Sequence, residues 1–111
     1  MASAMTRVEL HEDEGRTKSL SPTAAQYQKL HAAMWSKGFR RFIVGDDNKM
    51  YRLPPAEYYY TGQDARSAIL EKAKAAAYTA VGSHNKYSCV VTEQNGVMWN
   101  GLQQITKDPD A

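Results

Sequence analysis

The sequence predicts a single α+β domain with two helices packed on one face of an antiparallel sheet. Three observations carry this. Short alternating or apolar runs of strand character recur along the chain. Two helical stretches lie between them, one running into Gly38 and the other into Gly82. The length, 111 residues, suffices for one core but not for two.

Residues 6–11 alternate. Val8 and Leu10 point one way, and Arg7, Glu9 and His11 the other, as in a half-buried strand. A polar loop follows up to Leu20. Ser21-Pro22 has the form of a helix start, with serine as N-cap and proline at the first helical position. Tyr27, Leu30, His31 and Met34 then recur at helical spacing. Residues 39–44 form a second strand, Gly45-Asp46-Asp47-Asn48 a turn, and residues 50–53 a third strand that closes a hairpin. Pro54 and Pro55 end it, because neither can donate a ladder hydrogen bond. Thr61 and Asp64 have the spacing of a helix-starting box. The alanine-rich stretch 65–81 is strongly helical, with Ile69, Ala73, Ala76 and Ala80 as a narrow stripe that lets the helix approach a sheet closely. Residues 87–93 form a fourth strand, Asn95-Gly96 a turn, and residues 97–102 a short fifth strand.

This order, β-α-β-β-α-β with a short C-terminal strand, is the split βαβ or ferredoxin-like plan. It implies a four-stranded antiparallel sheet with the first and third strands central and both helices on one face. The domain is expected over residues 1–105, with 106–111 a flexible C-terminal tail.

Composition narrows the function classes. With 42% apolar and 23% charged residues, the chain is not expected to be disordered. A net charge of +2 is too small to indicate nucleic acid by itself. The charges are unevenly placed, however. Arg16, Lys18, Lys29, Lys37, Arg40, Arg41, Lys49 and Arg52 are opposed in that interval only by Asp46 and Asp47. Such a region could attract an anionic partner. Cys89 is the sole cysteine, which fits a reducing compartment and an inert buried thiol. No apolar run approaches the roughly 18–20 residues that span a bilayer. The N-terminus lacks the layout of a signal peptide. A cytoplasmic protein without a membrane partner is expected.

The stretch LHAAMWSKGFRRFIVGDDNKMYRLPPAEYYYTG, from Leu30 to Gly62, combines a helix ending in Lys-Gly-Phe, an Asp-rich turn and Leu-Pro-Pro-Ala-Glu-Tyr. A second helix and a Val-Thr-Glu strand follow. This succession, over roughly residues 8–102, resembles the small bacterial GhoS-type endoribonuclease antitoxins, whose fold is ferredoxin-like. The resemblance implies an endoribonuclease-like antitoxin that acts on the mRNA of a small membrane toxin. The alternative is a non-catalytic interaction or inhibitor protein on the same scaffold, binding a bacterial or phage protein.

The residues offer few candidates for chemistry. His11, at the end of a central strand beside Glu12 and Asp13, is the catalytic candidate. His31 lies on the apolar stripe of the first helix and reads as structural. His84 lies in a loop. Glu12-Asp13-Glu14 and Asp46-Asp47 are contiguous acids that rarely fix a metal by themselves, and no Cys/His metal spacing is present, so neither metal nor cofactor is expected. Arg40, Arg41 and Arg52 are the phosphate-binding candidates, because guanidinium matches phosphate geometry. Tyr58 and Tyr60 join them as rings that could stack on unpaired bases. The sheet face away from the helices is expected to carry Arg7, Glu9, His11, Arg41, Ile43, Met50 and Arg52. With Ile43 and Met50 at its apolar centre, that face suggests a homodimer interface.

Overall fold

The computed structural model describes residues 3–93 and 96–111. Asn95, half of the expected Asn95-Gly96 turn, lies outside the described residues. The chain is α+β, with two helices and two small antiparallel sheets of three strands each among the described residues. Strand β1 (Ser3–Leu10) is followed by α1 (Ala25–Ser36), β2 (Phe42–Val44), β3 (Met50–Arg52), β4 (Glu57–Thr61), α2 (Arg66–Val81), β5 (Tyr87–Glu93) and β6 (Gln104–Ile105).

The main sheet has the order β4-β1-β5, with β1 in the centre. Directly paired residues share a face. Ala4, Val8 and Leu10 of β1, Tyr58 and Tyr60 of β4, and Tyr87 of β5 are buried on the helix side. They meet Tyr27, Leu30 and Met34 of α1 and Ile69, Ala73, Ala76, Ala77 and Ala80 of α2 in one core. The alanine stripe of α2 has the effect its small residues predict: it brings the helix against β1 and β5. Burial of this core is the main stabilising term, at about 25 cal/mol per Å² of apolar surface removed from water. The opposite face carries Met5, Arg7, Glu9, Tyr59, Ser88 and Val90.

The tyrosine run is the largest departure from the expected element order. Residues 57–61 are a strand, β4, and it is β4 that pairs with β1, not residues 50–53. Pro54 and Pro55 do end β3, but they lead into a tight turn in which Ala56 takes φ 71°. The chain then re-enters the main sheet. The β2–β3 hairpin sits outside that sheet, in a second one of order β2-β3-β6. The two are stitched by a bridge between Arg40 and Tyr59.

Other boundaries move for identifiable reasons. Ser21 caps a preceding turn, accepting from the Thr23 amide at 3.3 Å, and α1 begins only at Ala25. The Thr61–Asp64 box does not form: α2 begins at Arg66 with Ala65 at its N-cap, and the Asp64 carboxylate is taken by the Tyr60 hydroxyl and Lys72. Residues 97–102 are not a strand; the short C-terminal strand is Gln104–Ile105, paired with β3. Gly38 and Gly82 terminate the helices with φ of 98° and 71°, a region that a side chain would strain.

The segment expected as a flexible tail folds back onto the domain. Trp35 donates its indole N–H to Asp108 at 2.9 Å. Arg41 grips Asp110 with two bonds of 2.7 Å. No helix among the described residues is long and apolar enough to cross a membrane.

Candidate functional site

A cleft of about 770 Å³ opens between the start of α1, the end of β3 and the segment before β6. One wall is helical. Tyr27 and His31 lie one turn apart on α1 and so share a face. The facing wall is Leu53-Pro54-Pro55-Ala56, held by the proline-fixed backbone, with Leu102 and Gln103 beside it. Arg41 and Arg52 enter from the strands of the hairpin. They flank its outer end, where the Leu53 amide donates to the Arg41 carbonyl at 2.9 Å.

His31 is buried, and its Nδ1 lies 2.6 Å from the Tyr58 hydroxyl. Burial, aided by the positive charge of Arg41 and Arg52 and opposed by Asp110, pulls its pKa down to about 4. The ring is therefore neutral near pH 7. Burial raises the Tyr58 phenol well above its ordinary value, so it keeps its proton. The acceptor within reach of that proton, among the described residues, is His31 Nδ1. Donation into Nδ1 fixes the tautomer and leaves the histidine proton on Nε2. His31 is then a neutral N–H donor lining a cleft with two guanidinium groups.

The two arginines differ. Arg41 is largely buried and engaged by Asp110, with side-chain exposures of 14% and 11%. That hydrogen bond is the main reason its pKa is raised. Arg52 is exposed, and among the described residues it has no acidic partner. Arg40 lies outside the cleft. It stacks over the Trp35 ring at 4.4 Å, donates to the Trp35 and Phe39 carbonyls, and stands 3.5 Å from Asp108.

The remaining candidates are scattered. His11 is buried at the end of β1, with Nε2 2.9 Å from the Ser88 hydroxyl and Nδ1 without a hydrogen-bond partner among the described residues. Its neighbour Asp13 is occupied by the Thr17 side chain and the Thr17 and Lys18 amides, which close the loop and hold its carboxyl below the usual range. Among the described residues, no acid or base is thereby paired with His11. Tyr58 and Tyr60 are core residues, 1% and 5% exposed, so neither ring is free to stack on a base. Tyr59 is the member of the run on the opposite face, beside Ile43, Val44 and Trp99. Ile43 is 5% exposed within the second sheet and cannot form the apolar centre of an exposed face. Met50 is half-buried beside it. Burial pushes the Cys89 thiol up to about 11, which suits an inert side chain. No group of three or more His, Cys, Asp or Glu that could hold a metal ion occurs among the described residues.

Two features of the site are not marked by local spacing. One is His31, whose place on an apolar stripe disguises its position on the cleft wall. The other is the acidic tail. Asp108-Pro-Asp110 answers the basic pair Arg40-Arg41 with opposite sign, and that complementarity is the signal the sequence carries. Comparison of the chain with protein families, curated proteins and solved structures finds no match.

Proposed function

We propose that this chain is a small RNA-binding protein on a ferredoxin-like scaffold, of the endoribonuclease antitoxin kind that its sequence resembles. One observation carries the reading: a neutral N–H donor, His31, shares a cleft with Arg41 and the exposed Arg52. A phosphate accepts from such donors, and guanidinium matches its geometry. The ferredoxin-like assignment is supported by the strand order β4-β1-β5 with the Arg40–Tyr59 bridge at its outer edge, where the second strand of that plan would lie.

In such a protein the scissile phosphate of a toxin mRNA would sit against Arg52 and His31. The ribose 2′-hydroxyl, losing its proton to solvent water, would form a bond to phosphorus as the bond to the 5′-oxygen breaks, and the leaving oxygen would take a proton from water. Arg52 would stabilise the added negative charge. His31 Nε2–H would donate a hydrogen bond to a phosphate oxygen while keeping its proton. The product ends test this directly. Incubation with single-stranded RNA should leave 2′,3′-cyclic phosphate ends, and Arg52→Ala should abolish them. Intact RNA at all protein concentrations would reject the nuclease reading.

A non-catalytic interaction protein on the same scaffold is favoured by a different observation. Arg40 and Arg41, the strongest anion-binding signal in the sequence, are already engaged by Asp108 and Asp110 within the chain. On this reading RNA would fail to bind as well as fail to be cut.

A further inference from the structure

Strand β5 is an edge of the main sheet, and no strand among the described residues pairs with its outer side. The phase of its hydrogen bonding follows from the His11 amide, which donates to the Lys86 carbonyl at 2.8 Å. In an antiparallel ladder this places the amides and carbonyls of Ser88, Val90 and Thr92 toward β1. Those of Tyr87, Cys89, Val91 and Glu93 point outward. Arg16 Nε caps the Tyr87 carbonyl at 2.8 Å. Nothing among the described residues bonds the outward groups of Cys89 and Val91.

Edge strands usually carry a device against pairing: a proline, a bulge, or a lysine pointing inward. β5, Tyr87–Glu93, has none of these in the sequence YSCVVTE, and its register with β1 runs unbroken from Glu93 to Tyr87. Its middle residue, Val90, is 58% exposed.

We infer that two copies of this chain join edge to edge through β5, antiparallel, about a two-fold axis at Val90. The register follows from the free groups. Cys89 exchanges both backbone hydrogen bonds with the partner's Val91, and Val91 does the same with the partner's Cys89. Val90 then faces the partner's Val90 as a non-hydrogen-bonded pair. The ends of the strand differ in charge. Arg16 and the Lys74–Glu71 ion pair lie beside Tyr87, where Arg16 has no acidic partner among the described residues, and Glu93, which Arg66 contacts at 2.7 Å, closes the other end. Antiparallel pairing brings Glu93 of each copy to the Arg16 end of the other. A parallel neighbour would set like ends together. Pairing of a strand with its own copy about a two-fold axis also closes the assembly at two chains. The occupant that fits this edge is therefore a second copy. The interface is distinct from the sheet face on which Ile43 is expected from sequence, and it leaves the His31 cleft open.

The test is sedimentation velocity across a concentration series reaching about 100 μM, well above a micromolar dissociation constant. Wild type should dimerise. Val90→Lys should weaken dimerisation at least tenfold, because it sets two lysines face to face beside Arg7. Val91→Pro should do the same, since its amide points outward and contributes no bond to the monomer. Far-UV circular dichroism should be unchanged in Val90→Lys, which decides the matter if the proline variant misfolds. In a Cys89→Ser background, Val90→Cys should cross-link on mild oxidation, because such pairs lie about 4.5 Å apart at Cα. A monomeric wild type throughout the series would overturn the inference. So would a dimer that survives Val90→Lys, or a Val90→Cys variant that does not cross-link.

Discussion

Removing the Asp110 carboxylate should destabilise the domain far more than its position next to the C-terminus suggests. Asp110 accepts two bonds of 2.7 Å from Arg41, and both side chains are largely buried, at 11% and 14% exposure. Asp110→Ala leaves the guanidinium in place without its counter-charge. Breaking a fully buried pair costs about 3–5 kcal/mol, and the residual exposure here reduces that to about 3 kcal/mol. At about 2.1 cal/mol/K per residue, a chain of 111 residues unfolds with an entropy of about 0.23 kcal/mol/K. The expected fall in Tm is then about 13 °C by thermal circular dichroism. Asp110→Asn retains one acceptor and should fall by about half as much. The double change Arg41→Ala, Asp110→Ala should cost less than the sum of the single changes, because neither charge is left alone. A loss below about 1 kcal/mol for Asp110→Ala is the behaviour of an exposed ion pair. It would refute the tail as an anchored part of the domain.

Further outcomes concern the cleft. Tyr58→Phe removes the hydroxyl that holds His31 Nδ1 and should cost about 1–3 kcal/mol in urea denaturation; no loss would mean that the bond is not made. The lowered pKa of His31 makes stability pH-dependent. The unfolded chain binds a proton near pH 6.5 that the folded chain accepts only near 4. Its contribution is fully present above pH 6.5 and is lost as pH falls toward 4, so wild type should lose more stability between pH 7 and 5 than His31→Gln. Equal slopes would remove His31 as the cause.

Much of the architecture is legible in the sequence because period and capping agree. Val8 and Leu10, the Tyr27–Met34 stripe, the Ile69–Ala80 stripe and Gly82 all occupy the places their spacing implies. The strand at Glu57–Thr61 is hidden because Pro54-Pro55 ends a strand locally and gives no sign that another begins after one turn. The β-propensity of Glu-Tyr-Tyr-Tyr-Thr is the signal that marks it. The consequence reaches the site. Assigning residues 50–53 to the main sheet places Ile43 and Arg41 on its open face. The structure puts them instead in or beside a separate hairpin. Arg41 and Arg52 do reach one cleft, as the hairpin suggests, but His31 joins them through tertiary packing that no local spacing encodes. Polar terminal residues usually fray, so the C-terminal segment reads as a free tail. Its two aspartates are ordered by Trp35, Arg40 and Arg41, and Arg41 lies 69 positions before Asp110 in the chain.

The claim that the His31, Arg41 and Arg52 cleft receives RNA phosphate is tested most directly by the salt dependence of RNA affinity. Fluorescence anisotropy with a short single-stranded RNA, titrated at several salt concentrations, compares wild type with Arg52→Ala. Wild type should bind with a clear negative slope of log affinity against log salt. Arg52→Ala should bind more weakly and make that slope shallower by about 0.7, the effect of one fewer phosphate neutralised on a single strand. An identical slope and affinity in the two proteins, or no binding by wild type at low salt, would contradict it.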